Sequence, residues 1–222
     1  MADVAAVVAE LRAAADPARL DGMARVGIRT DRAIGVSVPN VRRIARRHRG
    51  DHALALALWA TGIHEARLLA PMVADPAQVT DAELDAWVAE LDSWDTCDGL
   101  CSSLLVRMPQ RWELVERYAA REPGFEKRAG FALLATLAVH DRAAPDDAFQ
   151  ARLALIERHA PDPRNEVRKA VNWALRQIGK RNAALHADAI ACGERILAAG
   201  PRSASWVASD ALRELRSRSP PP

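Results

Sequence analysis

Apolar residues recur at intervals of three and four along most of the chain, which is the spacing of the buried face of an α-helix. Residues 84–91, 104–108, 131–138 and 153–156 all follow it. No stretch alternates convincingly between apolar and polar residues, as a half-buried β-strand would. The composition agrees, because half of the residues are hydrophobic and many of these are alanine or leucine, which favour helices over strands. The pattern predicts an all-α fold.

Polar residues mark several predicted helix starts. Thr80 and Glu83 fit a capping box, in which each side chain accepts a hydrogen bond from the backbone N–H of the other residue. Asp16-Pro17, Asp75-Pro76 and Asp162-Pro163 each place a capping carboxylate before a proline suited to the first helical position. Residues 205–215 predict a terminal helix, and the serine- and proline-rich residues 217–222 predict a disordered tail.

A faint internal repeat has the form Glu-x-Arg followed by small and apolar residues. It occurs at Glu65-Ala66-Arg67, Glu126-Lys127-Arg128 and Glu166-Val167-Arg168, and positions 126 and 166 are 40 residues apart. That interval is typical of HEAT-like helical pairs, which stack into a superhelix with a concave face. The repeat therefore predicts a single HEAT-like α-α superhelical domain over residues 1–216.

Length, cysteines and termini exclude several classes of protein. A chain of 222 residues can bury a large core in one domain without disulfides or structural metals. Cys97 and Cys101 have no second pair of ligands nearby, so we expect reduced, buried thiols rather than a zinc site. The first residues lack the basic segment of a signal peptide, and no apolar run has membrane-spanning length. We expect a cytoplasmic monomer that does not bind a membrane.

Basic side chains are concentrated in two stretches, although the net charge of the chain is only +2. The first contains Arg42, Arg43, Arg46, Arg47 and Arg49, and the second contains Arg168, Lys169, Arg176, Lys180 and Arg181. On a helix, positions 42, 46 and 49 would form one stripe, with positions 43 and 47 beside it. Such a stripe can contact phosphates with release of counterions, or it can be a solvated helix face. The sequence alone leaves both interpretations open.

Two tryptophans and one aspartate are the candidates for chemistry. Trp94 and Asp98 are four residues apart, so on a helix they lie one turn apart on the same face. Trp173 lies in the second basic stretch. Each of these side chains alone could be structural. Together, on two helices that face a common basic groove, two aromatic faces and a carboxylate would suit a cationic or developing cationic group.

Motifs of other kinds of site are missing from the sequence. There is no glycine-rich phosphate loop, no Gly-x-Ser-x-Gly elbow and no Cys–His pair. His64-Glu65 is not followed by a histidine at zinc-protease spacing, so we interpret both residues as structural, with Glu65 contacting an arginine of a neighbouring helix. If the protein is an enzyme, we expect it to need no nucleotide, metal or other cofactor.

These residues together resemble the AlkD-like family of DNA alkylation-repair proteins, which are built from HEAT-like repeats. The similarity covers the chain roughly from Met23 to Leu215. It is carried by Leu58-Trp59 with Glu65-Ala66-Arg67, Ser93-Trp94-Asp95 with Asp98, Arg128-Ala129, and the run Lys169-Ala170-Val171-Asn172-Trp173-Ala174-Leu175-Arg176. The combination is fairly specific, although no single piece is.

The resemblance implies a DNA glycosylase that removes purines alkylated at N3 or N7 from duplex DNA without flipping the base into a pocket. It implies that the Asp98 carboxylate stabilises the cationic sugar and positions the attacking water, and that Trp94 and Trp173 pack on the deoxyribose. Arg128 would hold the phosphate backbone near the lesion. The further DNA contacts predicted from the basic stretches are Arg42, Arg43, Arg46, Arg47, Lys169, Arg176 and Lys180.

The chain differs from the sequence pattern of that family in two places. Val26 stands where active members carry a tyrosine, so it supplies no aromatic ring. The region between Arg43 and Trp59 is about ten residues shorter than in those members. These departures leave a second hypothesis open, in which the chain is a non-catalytic HEAT-like module that binds nucleic acid or protein through the same groove.

Overall fold

The computed structural model describes residues 3–217, apart from the side chain of residue 199. Within these residues the chain is helical and has no β-strand, which confirms the predicted all-α fold. The helices are α1 (Val4–Ala13), α2 (Leu20–Arg25), α3 (Val38–Ala45), α4 (His52–Ala60), α5 (His64–Val73), α6 (Asp81–Ala89), α7 (Trp94–Ser103), α8 (Arg111–Ala119), α9 (Gly124–His140), α10 (Asp146–His159), α11 (Asn165–Ile178), α12 (Ala183–Ala199) and α13 (Arg202–Arg216). Short 3₁₀ helices cover Pro17–Arg19 and Leu105–Arg107.

The helix starts follow the polar signals only in part. Thr80 and Glu83 form the predicted capping box at the start of α6. Asp16 caps the 3₁₀ helix Pro17–Arg19, accepting a hydrogen bond from the backbone N–H of Ala18. Asp75 instead closes a turn by accepting the N–H of Ala77, and no helix begins there. The Asp162 carboxylate likewise accepts the N–H of Arg164, and α11 begins two residues beyond the predicted position.

The chain divides into two compact units, Met1–Pro109 and Gln110–Pro222. The prediction of a single domain over residues 1–216 stays a prediction. Of the predicted tail, residues 218–222 lie outside the described residues, and Ser217 directly follows α13.

The first unit is organised around α5, which packs against α1, α3, α4 and α7. Every residue of α5 except Met72 is buried. On its flank, the rings of Trp59 and Trp87 stack with centroids 4.5 Å apart, and the guanidinium of Arg67 lies over the Trp59 ring. The helix that carries the first Glu-x-Arg segment is therefore the core of this unit.

The second unit is organised around α9, which packs against α8 and α11. Its residues from Lys127 to Ala138 are all buried. A Cβ atom at Gly130 would lie 2.4 Å from the backbone nitrogen of Ala119, so only glycine allows α8 to approach α9 this closely. Helix α13, which confirms the predicted terminal helix, packs against α11 and α12.

The three Glu-x-Arg segments occupy equivalent places in the helices that carry them. Glu65, Glu126 and Glu166 each lie in the first turn of their helix, in α5, α9 and α11 respectively. A carboxylate is favourable there, because the unpaired N–H groups give the start of a helix a partial positive charge. The repeat seen in the sequence thus marks the starts of helices that supply the cores of the two units.

Candidate active site and nucleic-acid interface

Helix α7 carries Trp94 and Asp98, the part of the predicted site that lies in the first unit. The helix begins at Trp94, and Asp98 follows one turn later. The Trp94 residue is 37% exposed, and Asp98 is half-buried. Their placement on one helix, one turn apart, agrees with the spacing argument, and their catalytic role stays a prediction.

The indole ring of Trp94 is held by the backbone of residue 26. Its Nε1 donates a hydrogen bond of 3.1 Å to the carbonyl oxygen of Val26, the residue that follows α2. The Val26 residue is 60% exposed. The position that lacks a tyrosine ring thus contributes a main-chain acceptor, which restricts the orientation of the indole.

A buried ion pair lies beside Trp94. His64 is buried at the start of α5, and its Nε2 lies 2.8 Å from Oδ2 of Asp95. The other carboxylate oxygen of Asp95 accepts hydrogen bonds from the hydroxyl of Ser93 and the backbone N–H of Thr96. These contacts attach the first turn of α7 to the core helix α5.

Both groups of this pair are shifted toward their charged forms. Burial alone would lower the pKa of His64, but the hydrogen bond and the charge of Asp95 outweigh burial and raise it. Burial alone would raise the pKa of Asp95, but the hydrogen bond and the charge of His64 lower it. The sequence did not predict this pair, because its members are 31 residues apart and no local pattern relates them.

Glu65 organises the loop that leads into the arginine-rich helix α3. Its buried carboxylate accepts hydrogen bonds from the backbone N–H groups of Ile34, Gly35 and Val36, at 2.7–3.1 Å. Gly35 has φ +83°, and a Cβ atom there would lie 2.1 Å from the carbonyl oxygen of Asp16. Glu65 is structural, as expected, but the expected arginine contact is wrong: these backbone amides are its hydrogen-bond donors.

The arginines of the first basic stretch separate into two groups. Arg43 and Arg47 form ion pairs with Glu10 of α1, the first at 3.4 Å. Arg42 and Arg46 are exposed, and within residues 3–217 neither of them forms an ion pair. They line a surface cavity together with Arg49 and Arg107. This division matches the two stripes that the helical spacing predicted, and the role of each stripe in DNA binding stays a prediction.

The second unit holds Trp173, Arg128 and Lys169. Trp173 is half-buried on α11, and Lys169 on the same helix is exposed. Arg128 on α9 is only 6% exposed, and its Nη1 donates a hydrogen bond of 2.8 Å to the carbonyl oxygen of Glu166. Its guanidinium therefore also joins α9 to the start of α11.

The other two predicted contacts of the second unit share one carboxylate. Arg176 and Lys180 both form ion pairs with Glu214 of α13. Burial alone would raise the pKa of Glu214, but its hydrogen bonds to Lys180 and Arg176 lower it to about 2. These two cations hold α11 against α13, and a phosphate would have to compete with Glu214 for them.

The candidate site residues are divided between the two units: Trp94 and Asp98 lie in the first, and Trp173 and Arg128 lie in the second. That they face one groove stays a prediction. Arg107 and the ion pair of His64 with Asp95 are the residues that the sequence analysis missed. Arg107 lies far from both basic stretches in the sequence, so only the fold brings it to Arg42, Arg46 and Arg49.

Neither the cysteines nor the other potential ligands form a metal site in the described part of the chain. Cys97, Cys101 and Cys192 are buried, as predicted, and none of them forms a disulfide within residues 3–217. Burial raises the pKa of the Cys192 thiol to about 12, so this thiol is protonated at neutral pH. Among residues 3–217, no group of three or more His, Cys, Asp or Glu side chains is placed to hold a metal ion. No helix there is long and apolar enough to cross a membrane.

Comparison with solved structures defines the class of fold. One match is described as "a new family of proteins related to the HEAT-like repeat DNA glycosylases with affinity for branched DNA structures". It aligns with 88% of this chain and 83% of its own, with a TM-score of 0.78 and 19% sequence identity. At that identity the likeness establishes the fold, an all-α HEAT-like repeat protein. An engineered protein also aligns, over 98% of each chain at 13% identity, but its TM-score of 0.47 carries no argument.

The family is established by the sequence itself. The model of the family described as "DNA alkylation repair enzyme" matches residues 7–215, nearly the whole chain. The chain belongs to this AlkD-like family. No curated protein matches the sequence significantly.

Proposed function

We propose that this protein is a DNA glycosylase that binds duplex DNA and hydrolyses the N-glycosidic bond of purines alkylated at N3 or N7, without flipping the base. Membership of the DNA alkylation repair family supports the substrate class. The observation that carries the proposal is the start of α7, where the exposed and oriented Trp94 is followed one turn later by the half-buried Asp98.

The chemistry matches a cationic lesion. A purine alkylated at N3 or N7 carries a positive charge, so it leaves with the electron pair of the C1′–N bond as a neutral base. The positive charge moves to the sugar, where the Asp98 carboxylate stabilises it and the ring faces of Trp94 and Trp173 favour it. Water then adds to C1′ and loses one proton. In this scheme Asp98 also orients that water, and no cofactor is needed.

Substitution of Asp98 by Asn tests this assignment. Release of 7-methylguanine and 3-methyladenine from methylated duplex DNA is measured for the wild type and the variant, with DNA affinity measured in parallel. We expect Asp98→Asn to lower the rate of base release by at least about 100-fold, because it removes the charge opposite the developing cation, and to leave affinity nearly unchanged. Asp92→Asn, which alters a carboxylate paired with Arg29, is the matched control and should retain activity. Equal losses of release and affinity would contradict a catalytic role for Asp98.

A second function is favoured by one observation, the exposed Val26 in place of an aromatic ring. In this alternative the chain binds DNA through the same residues without releasing bases. The structural neighbour has affinity for branched DNA, which suggests the substrate to test. Intact DNA binding without base release by the wild type, together with tighter binding of a four-way junction than of a duplex, would favour this alternative over the glycosylase.

A further inference from the structure

A surface cavity of about 420 Å³ in the first unit is lined by four arginines from three parts of the chain. Arg42 comes from α3, Arg46 and Arg49 from the turn after it, and Arg107 from the 3₁₀ helix Leu105–Arg107. The hydroxyl-bearing residues Ser102 and Ser103 also line it. The volume lies within the range of about 300–1,000 Å³ that is typical of small-molecule sites.

Backbone contacts hold two sides of this cavity. Nε of Arg107 donates to the carbonyl oxygen of Ser103 at 2.6 Å, and Nη2 donates to that of Pro71 at 3.2 Å. On the opposite chain segment, the N–H of Gly50 donates to the carbonyl oxygen of Val73 at 2.8 Å. Gly50 has φ +85°, a conformation that favours glycine. The turn with Arg46 and Arg49 and the guanidinium of Arg107 are therefore both tied to the end of α5.

The positive charges in the cavity are largely uncompensated. No carboxylate lines it, and within residues 3–217 Arg42, Arg46 and Arg49 form no ion pair. Partial burial lowers the pKa of Arg107, the charge of Arg49 lowers it further, and only Asp75 opposes this shift. Arg43 and Arg47, in contrast, both pair with the carboxylate of Glu10. The cavity thus concentrates guanidinium groups that, within residues 3–217, have no carboxylate partner.

We infer that this cavity, the Arg42/Arg46/Arg49/Arg107 pocket, binds two neighbouring phosphates of a nucleic-acid strand. One guanidinium group can donate two parallel hydrogen bonds to the oxygens of a phosphate, and hydroxyl groups supply further hydrogen-bond donors. Four guanidinium charges exceed the single charge of one phosphodiester, so the pocket suits more than one phosphate. The inference rests on the DNA-binding part of the proposed function, and it assigns Arg49 and Arg107 to the interface while removing Arg43 and Arg47 from it.

The test compares two double variants of the same stretch, each of which removes two positive charges. DNA binding is measured at several salt concentrations for Arg42→Gln/Arg46→Gln and for Arg43→Gln/Arg47→Gln. Each phosphate contact contributes about 0.9 to the slope of log K against log salt. We expect the first variant to lower the magnitude of this slope by about 2, and the second to leave it close to that of the wild type. Equal slopes for the two variants would overturn the inference.

Two further measurements separate failure of the inference from failure of the proposed function. The first is base release from methylated duplex DNA by the wild type, and the second is a titration with pyrophosphate. If the wild type binds DNA and releases bases but its slope does not depend on Arg42 and Arg46, only the inference fails. If the wild type binds no DNA, the proposed function fails as well. In that case, titration with pyrophosphate tests whether the pocket binds phosphate at all. Binding that Arg42→Gln/Arg46→Gln abolishes would show a site for free phosphates. A wild type that does not bind pyrophosphate would show that the pocket is not a phosphate site. Either result would overturn the nucleic-acid assignment.

Discussion

Replacing Asp95 with Asn removes the negative charge from the buried ion pair while preserving its shape. His64 is 4% exposed and the Asp95 side chain 15% exposed, so the charge of His64 has little access to water. Asparagine keeps one oxygen that can accept the hydrogen bonds from Ser93 and Thr96. The change therefore isolates the interaction between the carboxylate and His64.

The cost of this change depends on pH because the histidine can lose its proton. The raised pKa of His64 means that its contribution to stability is complete below about 6.5 and is lost as the pH rises through the higher folded value. The lowered pKa of Asp95 means that its contribution is present above about 3.8 and is lost as the pH falls through the lower folded value. The pair therefore stabilises the folded state fully between about pH 4 and 6.5.

The magnitude follows from two contributions. Loss of a hydrogen bond between charged groups costs about 1.5–3 kcal/mol. At pH 5, removing the proton from His64 in the variant costs about 2 kcal/mol more, which is 1.36 kcal/mol for each of the roughly 1.5 pH units below 6.5. We expect Asp95→Asn to lower the free energy of unfolding by about 3–5 kcal/mol at pH 5. At pH 8 the cost should be at least about 2 kcal/mol smaller, because the variant no longer has to deprotonate His64 on folding and the wild type has begun to lose the contribution of the pair.

Urea unfolding followed by circular dichroism at pH 5 and pH 8 measures both values. The control is Asp31→Asn, which removes an exposed ion pair of 3.4 Å with Arg29 and should cost less than about 1 kcal/mol at either pH. The reasoning is refuted if Asp95→Asn has the same cost at pH 5 and pH 8, because His64 would then be neutral in the folded protein at both values.

Two other expectations concern the loop before α3 and the orientation of Trp94. Gly35→Ala should lower the free energy of unfolding by at least about 2 kcal/mol, because the new Cβ meets the Asp16 carbonyl at positive φ; Gly22→Ala, with open space around it, should cost nothing measurable in the same urea titration. Trp94→Phe keeps an aromatic ring but removes the hydrogen bond to Val26, so single-turnover release of 7-methylguanine should slow about tenfold. A rate equal to that of the wild type would show that the indole orientation does not matter.

Features that depend on a few neighbouring residues could be predicted from the sequence. The helical periodicity and the capping box of Thr80 and Glu83 are of this kind, since the box joins residues three apart. The predicted helix start at Asp75 is wrong because an aspartate can also accept a hydrogen bond from the N–H two residues ahead in a simple turn. Asp75 does so with Ala77, and no helix follows. A capping hydrogen bond does not guarantee a helix start, and it is not required for one, since α9 and α10 begin without a side-chain cap.

Features that depend on distant residues could not be predicted. The sequence separated the stripe of Arg42 and Arg46 from that of Arg43 and Arg47, but Glu10, which pairs with the latter two, lies more than 30 positions earlier. The donors to Glu65 are 29 to 31 residues away, and backbone N–H groups are invisible in a sequence pattern because nearly every residue has one. Charge spacing therefore predicted where cations lie, whereas only the fold shows which of them are already paired.

The hydrogen bond from Trp94 to residue 26 is made to the main chain, and every amino acid offers the same carbonyl oxygen. The hydrogen bond that orients the indole therefore does not depend on which side chain stands at position 26. In a complete set of single substitutions, position 26 should tolerate most residues, since its own side chain is exposed, whereas position 94 should tolerate very few. A chain can thus replace the residue at position 26 and still keep the tryptophan of its candidate site in place.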